Sequence, residues 1–371
     1  MKKLYILLFT ICLLAAEPLT QVYAQGCVAI RGMSSCSAGA TSADFFKQQE
    51  AKFQVNAGYR YFRSFRHFRG DHQEKDRVEN GTQVINVFHA LDLGITYQPN
   101  MRWSVSVNLP IQHNDRSSLY EHYGNPVASN PEQKRFHTGS KGIGDLRIST
   151  SYWLRDPLKM PKFNIAMGGG IKLPTGNKAV EGEFHKLDKE GNDYVIVKPV
   201  DQSIQLGDGG VGVFLETQGY LQFSHKTALY FNGFYLSNPR VTNGVNRNPQ
   251  ASTIDPATGY FSVADQFAAR LGVSQSLGHG FSVTLGGRVE GVPSDDLIGS
   301  SKGYRRPGYV FSGEPGITYM KNKFSASASV PIALYRNRIK SYADKLDVTG
   351  KTIGDAAFAD YLVSIGISRW F

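Results

Sequence analysis

Twelve segments between Lys52 and Phe371 alternate apolar and polar residues, most of them over about ten to fifteen positions. A period of two is that of a β-strand, whose successive side chains leave opposite faces. Strands of a soluble sandwich usually run about five or six residues, whereas tilted strands that cross a bilayer need about nine to eleven. The length of the alternation therefore selects a transmembrane barrel over a soluble all-β sandwich.

The first segment, 52–66, carries Phe53, Val55, Ala57, Tyr59 and Tyr61 on one face and Gln54, Asn56, Gly58 and Arg60 on the other. In 84–97, Ile85, Val87, Leu91, Leu93, Ile95 and Tyr97 face outward, opposite Asn86 and Asp92. Trp103, Val105, Val107, Leu109 and Ile111 alternate with Ser104, Ser106 and Asn108; Leu146, Ile148, Tyr152 and Leu154 then stand opposite Asp145, Arg147, Ser149 and Ser151. Further strands are expected at 163–173, 211–223, 227–236, 267–277, 281–289, 311–319, 324–334 and 360–371. The stretch 227–236 is apolar on both faces, which leaves its register open.

Short turns at 98–101, 155–162, 224–226, 278–280 and 321–323 take turns with long polar loops near 67–82, 112–142, 174–207, 239–263, 292–308 and 336–357. Strict alternation puts both ends of the barrel on the short-turn side, which is the outer-membrane pattern. The expected fold is all-β: a transmembrane antiparallel β-barrel of about 12 strands over 50–371, with short periplasmic turns and long extracellular loops, in the outer membrane of a Gram-negative bacterium. The last strand, "DYLVSIGISRWF", is expected to close the barrel against the first. Tyr361, Val363, Ile365, Ile367 and Phe371 would then meet lipid, with Trp370 and Phe371 at interfacial depth. A C-terminal Phe371 on such a strand is similar to the signal read by the outer-membrane assembly machinery, one expected partner beside outer-membrane lipid and lipopolysaccharide.

Lys2 and Lys3, an apolar run from Leu4 to Ala16 and the ending Val22-Tyr23-Ala24 read as a secretory signal peptide over 1–24. Cys12 leaves with it. Cys27 and Cys36 are then an even pair in an oxidising compartment, which predicts a disulfide closing "CVAIRGMSSC". A second reading makes Cys27 a lipidated N-terminal residue, against which the apolar core ends early, at Ala16. The segment 25–49 is expected in the periplasmic space, either at the barrel mouth or as a small plug.

The net charge is +10, and "YRYFRSFRHFRGD" (59–71) has the basic, aromatic look of a nucleic-acid surface. Export argues against that partner and favours anionic lipid headgroups or acidic solutes. Beyond Ala24 no uninterrupted apolar run reaches 18 residues, which excludes ordinary helical spans, and the 39 Gly, 22 Phe and 19 Tyr suit barrel strands. The nine His show neither H-x-H nor H-E-x-x-H, nor the H-x-S-N-G context of an outer-membrane phospholipase, so no catalytic residue is assigned. Asp188, Glu190, Asn192 and Asp193 form a solvated loop whose Gly comes too early for an EF-type calcium site. No cofactor or metal is expected.

At "GIGDLRISTSYWL" (142–154) and "GGGIKLPTG" (168–176) the chain resembles the MetA-pathway phenol-degradation-like outer-membrane proteins, described as transporters. The similarity rests on a G-x-G-D strand start, a Tyr-bearing strand and a returning strand that ends in P-T-G. It covers some 35 residues closely and the rest as architecture. The resemblance implies a barrel passing small solutes, aromatic ones among them, and it brings no binding residues with it.

The registers turn Arg60, Arg147, Lys172, Arg270 and Arg288 inward, with Asp92, Asp145, Glu216, Glu290, Glu314 and Asp360 as the acidic counterparts. Unpaired charges in a narrow lumen are costly, so one reading is a paired network that holds the barrel's shape; the other lines a solute path with the same groups. Phe214 and Tyr220 are expected to narrow the lumen. The function expected is a narrow channel for small solutes, with a non-conducting barrel acting through its loops as the alternative.

Overall fold

The computed structural model describes residues 52–371 except 158, 160 and 161. The signal segment, residues 25–49, Cys27 and Cys36 lie outside the described residues. The wall consists of twelve antiparallel strands: β1 (Phe53–Arg69), β2 (Ile85–Tyr97), β3 (Trp103–Ser118), β4 (Phe136–Ile143, continued by Leu146–Trp153), β5 (Phe163–Leu173), β6 (Gly212–Gln222), β7 (Thr227–Ser237), β8 (Gln266–Gly278), β9 (Phe281–Val292), β10 (Gly308–Lys321), β11 (Phe324–Ser329, continued by Ile332–Asn337) and β12 (Ala356–Trp370). Each pairs with its neighbour in sequence, and β12 pairs with β1, from Gln54↔Trp370 onward. Closure leaves no edge strand, so the ladder runs round the whole wall, with breaks where the β1–β12 register shifts and where the second half of β11 meets β12 only at Ile332↔Tyr361. No described helix is long and apolar enough to cross a membrane; the crossing is made by strands.

The outer face is apolar as the alternation requires. Leu91, Leu93, Ile95, Val105, Val107, Leu215, Leu271, Leu285 and Ile367 all lie exposed on it, which is stable in hydrocarbon and not in water. The short turns join β2 to β3, β4 to β5, β6 to β7, β8 to β9 and β10 to β11, as expected. The β8–β9 and β10–β11 turns are tight enough to hold His279, Asn322 and Lys323 at positive φ.

Four details differ from the sequence expectation, and the register left open in β7 is resolved. The stretch 112–142 is not all loop, because β3 runs on to Ser118 and β4 begins at Phe136. Gln112, Asn114 and Arg116 continue its inward face, but the outward positions are His113 and Asp115, so hydrophobic alternation gives no sign of the strand. In β4 the inward positions change parity, from Thr138 and Ser140 to Arg147 and Ser149, across a break at Gly144 and Asp145.

Trp370 does not sit at the lipid interface. It follows Leu362, Ser364 and Ser368 on the inner face and is 4% exposed. In β7, the inward set is Ala228, Tyr230 and Leu236, all buried. Finally, the inner face is not polar throughout. Phe62, Phe88, Ala90, Ala359 and Leu362 form one apolar cluster, and Phe68, Val310, Ala333, Ala356 and Phe358 another.

Candidate functional site in the barrel lumen

The expected inward charges come together mostly in pairs. Arg60 on β1 donates to Asp92 on β2 from Nε at 2.5 Å and Nη2 at 2.9 Å. The Gly58↔Asp92 and Arg60↔Ala90 register makes the two diagonal neighbours on one face. Arg270 lies 3.2 Å from Glu314, and Arg288 is 2.7 Å from Glu290; all four side chains are nearly fully buried. Charges this deep are stable only when paired. Here the barrel is filled by its own side chains and is not an open pore.

Asp360 stands apart from this set. It occurs where the β1–β12 register shifts, and Arg66 holds it at 2.9 Å. Glu216 accepts from Ser149. Arg147 is buried beside the rings of Phe214 and Phe234, with its guanidinium 5.8 Å and 5.5 Å from their centroids. Phe214 and Tyr220 are inward and buried, so both narrow the lumen.

The 174–207 stretch supplies the part that alternation does not reveal. It rises as a hairpin, Glu181–Leu187 against Asp193–Pro199, and then returns to pack residues 201–208 against the inner faces of β3 and β4. Gln112 Nε2 donates to the Leu206 carbonyl at 3.2 Å, Asn114 Nδ2 to the Ile204 carbonyl at 3.3 Å, and Ser140 Oγ to that same carbonyl. Lys172 of β5 donates to Asp208 and lies 3.9 Å from Asp145.

The two stretches quoted for the family resemblance meet at this point. Thr175 Oγ1 donates to the Gly144 carbonyl at 2.7 Å and accepts from the Leu146 N–H at 2.9 Å. Asp145 accepts from the Gly176 N–H at 3.0 Å and the Asp208 N–H at 3.1 Å. A Cβ at Gly144 would come 3.2 Å from the Leu206 carbonyl oxygen, and one at Gly176 would come 2.8 Å from the Gly207 nitrogen. Both glycines are therefore spacing residues that let the returning chain lie close to the wall.

The other end of the returning segment is tied to the β9–β10 loop and to the end of β3. Arg306 grips both Asp201 oxygens at 2.8 Å, and Arg116 approaches Asp201 to 3.6 Å while binding Glu121 at 2.8 Å. Burial alone would raise the Asp201 pKa; the Arg116 and Arg306 guanidiniums outweigh it and hold the carboxyl well below the usual carboxylate range. Beneath this knot is a cavity of about 120 Å³. Phe62, Phe88, Gln112, Arg147, Lys172 and Gln205 are among its lining residues. It offers aromatic faces beside the Arg147 guanidinium, while the Lys172 ammonium is met by Asp208 and Asp145 of the same lining.

Among the described residues, His67, Glu74 and Asp355 come close enough to suggest a metal site. His67 accepts the Val84 N–H at Nε2 and contacts Asp355 at Nδ1, while Arg69 and Arg77 neutralise the carboxylates. The group therefore reads as a latch between the first and last long loops.

No protein-family model and no curated protein matches the chain. Among solved structures it is similar to an outer-membrane channel from Pseudomonas putida F1. The two share 12% identity over 86% of this chain and 96% of that one, with a TM-score of 0.52, a likeness of fold alone. A looser match is the Pseudomonas putida toluene transporter TodX, with 9% identity over 94% and 96% of the two chains and a TM-score of 0.44, too low to say anything of function. Closed, antiparallel and apolar outside, the barrel is that of an outer-membrane protein of a Gram-negative bacterium.

Proposed function

We propose that the barrel is a narrow channel for small solutes, with a preference for compact aromatic molecules that carry a polar or anionic group. The observation that carries this reading is the cavity beside the returning segment, whose lining includes Phe62, Phe88 and Arg147 together with a Lys172 ammonium already engaged by Asp208. Aromatic faces favour a planar apolar body, and the Arg147 guanidinium favours a polar or negative substituent. The same stretch holds the motifs that resemble transporter-like barrels. The paired charges below and the segment 201–208 above keep the resting conductance low, and passage requires one of them to shift.

The test is reconstitution in planar bilayers of the mature chain, with and without residues 25–49. Small, weakly selective currents are expected, and Arg147→Glu should shift the reversal potential modestly toward cations. Removing 25–49 should raise the current if that segment, closed by a Cys27–Cys36 disulfide, occupies the mouth; non-reduced peptide mass spectrometry reports the bond. Silence from both forms, together with no uptake of aromatic acids by liposomes, would reject the channel and leave the loops as the place of function.

A further inference from the structure

The outer wall carries one feature that neither closure nor transport uses. Tyr61, His89, His113 and Lys141 stand directly opposite one another across β1 to β4, a single row of the sheet with all four side chains outward. The row beneath it is Tyr59, Leu91, Ile111 and Ile143, and the one beneath that begins Ala57, Leu93, Leu109. Apolar rows thus give way in one step to a row of two imidazoles, a phenol and an ammonium. Neighbouring strands are about 4.8 Å apart, so the row spans about 14 Å.

The row is built as a unit. Tyr59 Oη lies 2.7 Å from His89 Nδ1, and the Tyr61 and His113 rings lie 5.1 Å and 6.3 Å from the His89 ring. His113 and Lys141 remain exposed at its end. One step further toward the loops, Arg63 faces outward, near enough to Arg135 that the two guanidiniums repel. Asp115, the carboxylate in that next row, is taken up by His137 at 2.9 Å. At the loop-side ends of β5 to β10 the outward residues are Leu173, Val213, Tyr235, Phe267, Val289 and Tyr309, and none is charged. The patch on β1–β4 therefore has no counterpart on β5–β10.

We infer that this row is a docking surface for the phosphorylated headgroup of an outer-leaflet glycolipid, with its acyl chains lying down the apolar rows below. The occupant follows from position and charge. The row is on the loop side of a barrel with extracellular loops, so it faces the outer leaflet, and an exposed ammonium beside imidazole donors, with the Arg63 guanidinium one row further, suits a phosphate monoester carried above acyl chains. His113 and Lys141 bind the phosphate directly, Arg63 supplies a second contact, and Tyr61 and His89 pack against the sugar.

The test uses the full-length mature protein in detergent and native mass spectrometry with bisphosphorylated lipid A, dephosphorylated lipid A and phosphatidylglycerol. The wild type should retain one bisphosphorylated lipid A in preference to the other two. His113→Ser with Lys141→Gln should lower its occupancy about tenfold, while Lys141→Arg should keep it and Lys226→Gln, on a periplasmic turn, should leave it unchanged. The gel shift between unheated and heated samples checks that each variant is folded, and Lys141→Gln alone serves if the double variant is not. Equal retention by the variants, or equal binding of dephosphorylated lipid A or phosphatidylglycerol, would overturn the proposal.

Discussion

The Asp145 carboxylate accepts the backbone N–H of Gly176 at 3.0 Å, and its second oxygen accepts that of Asp208 at 3.1 Å. One side chain at the break in β4 thereby clamps the end of β5 and the returning segment together. Hydrogen bonds to a charged acceptor contribute about 1.5–3 kcal/mol each. Asp145→Ala should therefore loosen the segment while the wall, whose ladder it does not touch, stays closed. The expected result is an unchanged unheated gel position with a lower temperature of conversion to the heated form. An unaltered conversion temperature would remove Asp145 from this role.

Asp201 ties the same segment to Arg306 and Arg116. Breaking a buried pair by removing one partner costs about 3–5 kcal/mol, because the other charge stays buried. Asp201→Asn should free 201–208 and raise single-channel conductance. Because the folded-state pKa is depressed, the stabilisation is present above the unfolded value of 3.8 and is lost only as pH falls through the lower folded value. Conductance of the wild type should thus be equal at pH 7 and pH 5. A rise already at pH 5 would count against this tie.

Burial pushes His122 down to about 4. Its Nδ1 accepts the His185 N–H at 3.1 Å, and its ring stacks on Phe136 and Phe184, so the folded loop wants it neutral. Between pH 6.5 and about 4 the unfolded loop binds a proton that the folded one does not, and stability falls as pH is lowered through that window. Limited proteolysis of 119–135 in the intact protein should accelerate over this range, and His122→Phe should flatten the response. Equal cleavage at pH 7 and pH 4.5 would contradict the assignment.

At the seam, the Phe371 N–H donates to the Phe53 carbonyl at 2.8 Å and its carbonyl accepts from Phe53 at 3.4 Å. Deleting Phe371 removes the last pair of bonds that joins β12 to β1, and with it the aromatic terminus that resembles an assembly signal. The expected outcome is a several-fold lower yield of assembled barrel, with the conductance of the assembled fraction unchanged. Equal yield, measured as heat-modifiable protein in outer-membrane fractions, would leave the terminus without this role.

The wall was legible in the sequence because its physics is local. A strand that meets lipid on one side must alternate, and alternation from Phe53 to Phe371 gave the number of strands, the side each turn lies on and the inward position of Arg60, Asp92, Lys172, Arg270 and Glu314. Where the outward face leaves hydrocarbon, as at His113, Asp115 and Lys141, the apolar signal disappears although the strand continues. Trp370 was misplaced because residue type was weighed above parity; the alternation itself turns it inward.

The filling of the barrel was decided only by tertiary structure. Lys172 meets Asp208 from 36 positions away, and Arg306 meets Asp201 from 105. No period or spacing encodes such partners, since a loop's path depends on which carbonyls and carboxylates the finished wall presents to it. Gly144, Asp145 and Gly176 look in sequence like ordinary turn residues. Only with the strands in place do they become the gap and the clamp through which 201–208 lies inside the barrel. The sequence by itself determined a closed wall with an apolar exterior, because each strand meets that demand alone; the fold decided what occupies the lumen, because that depends on contacts between residues far apart in the chain.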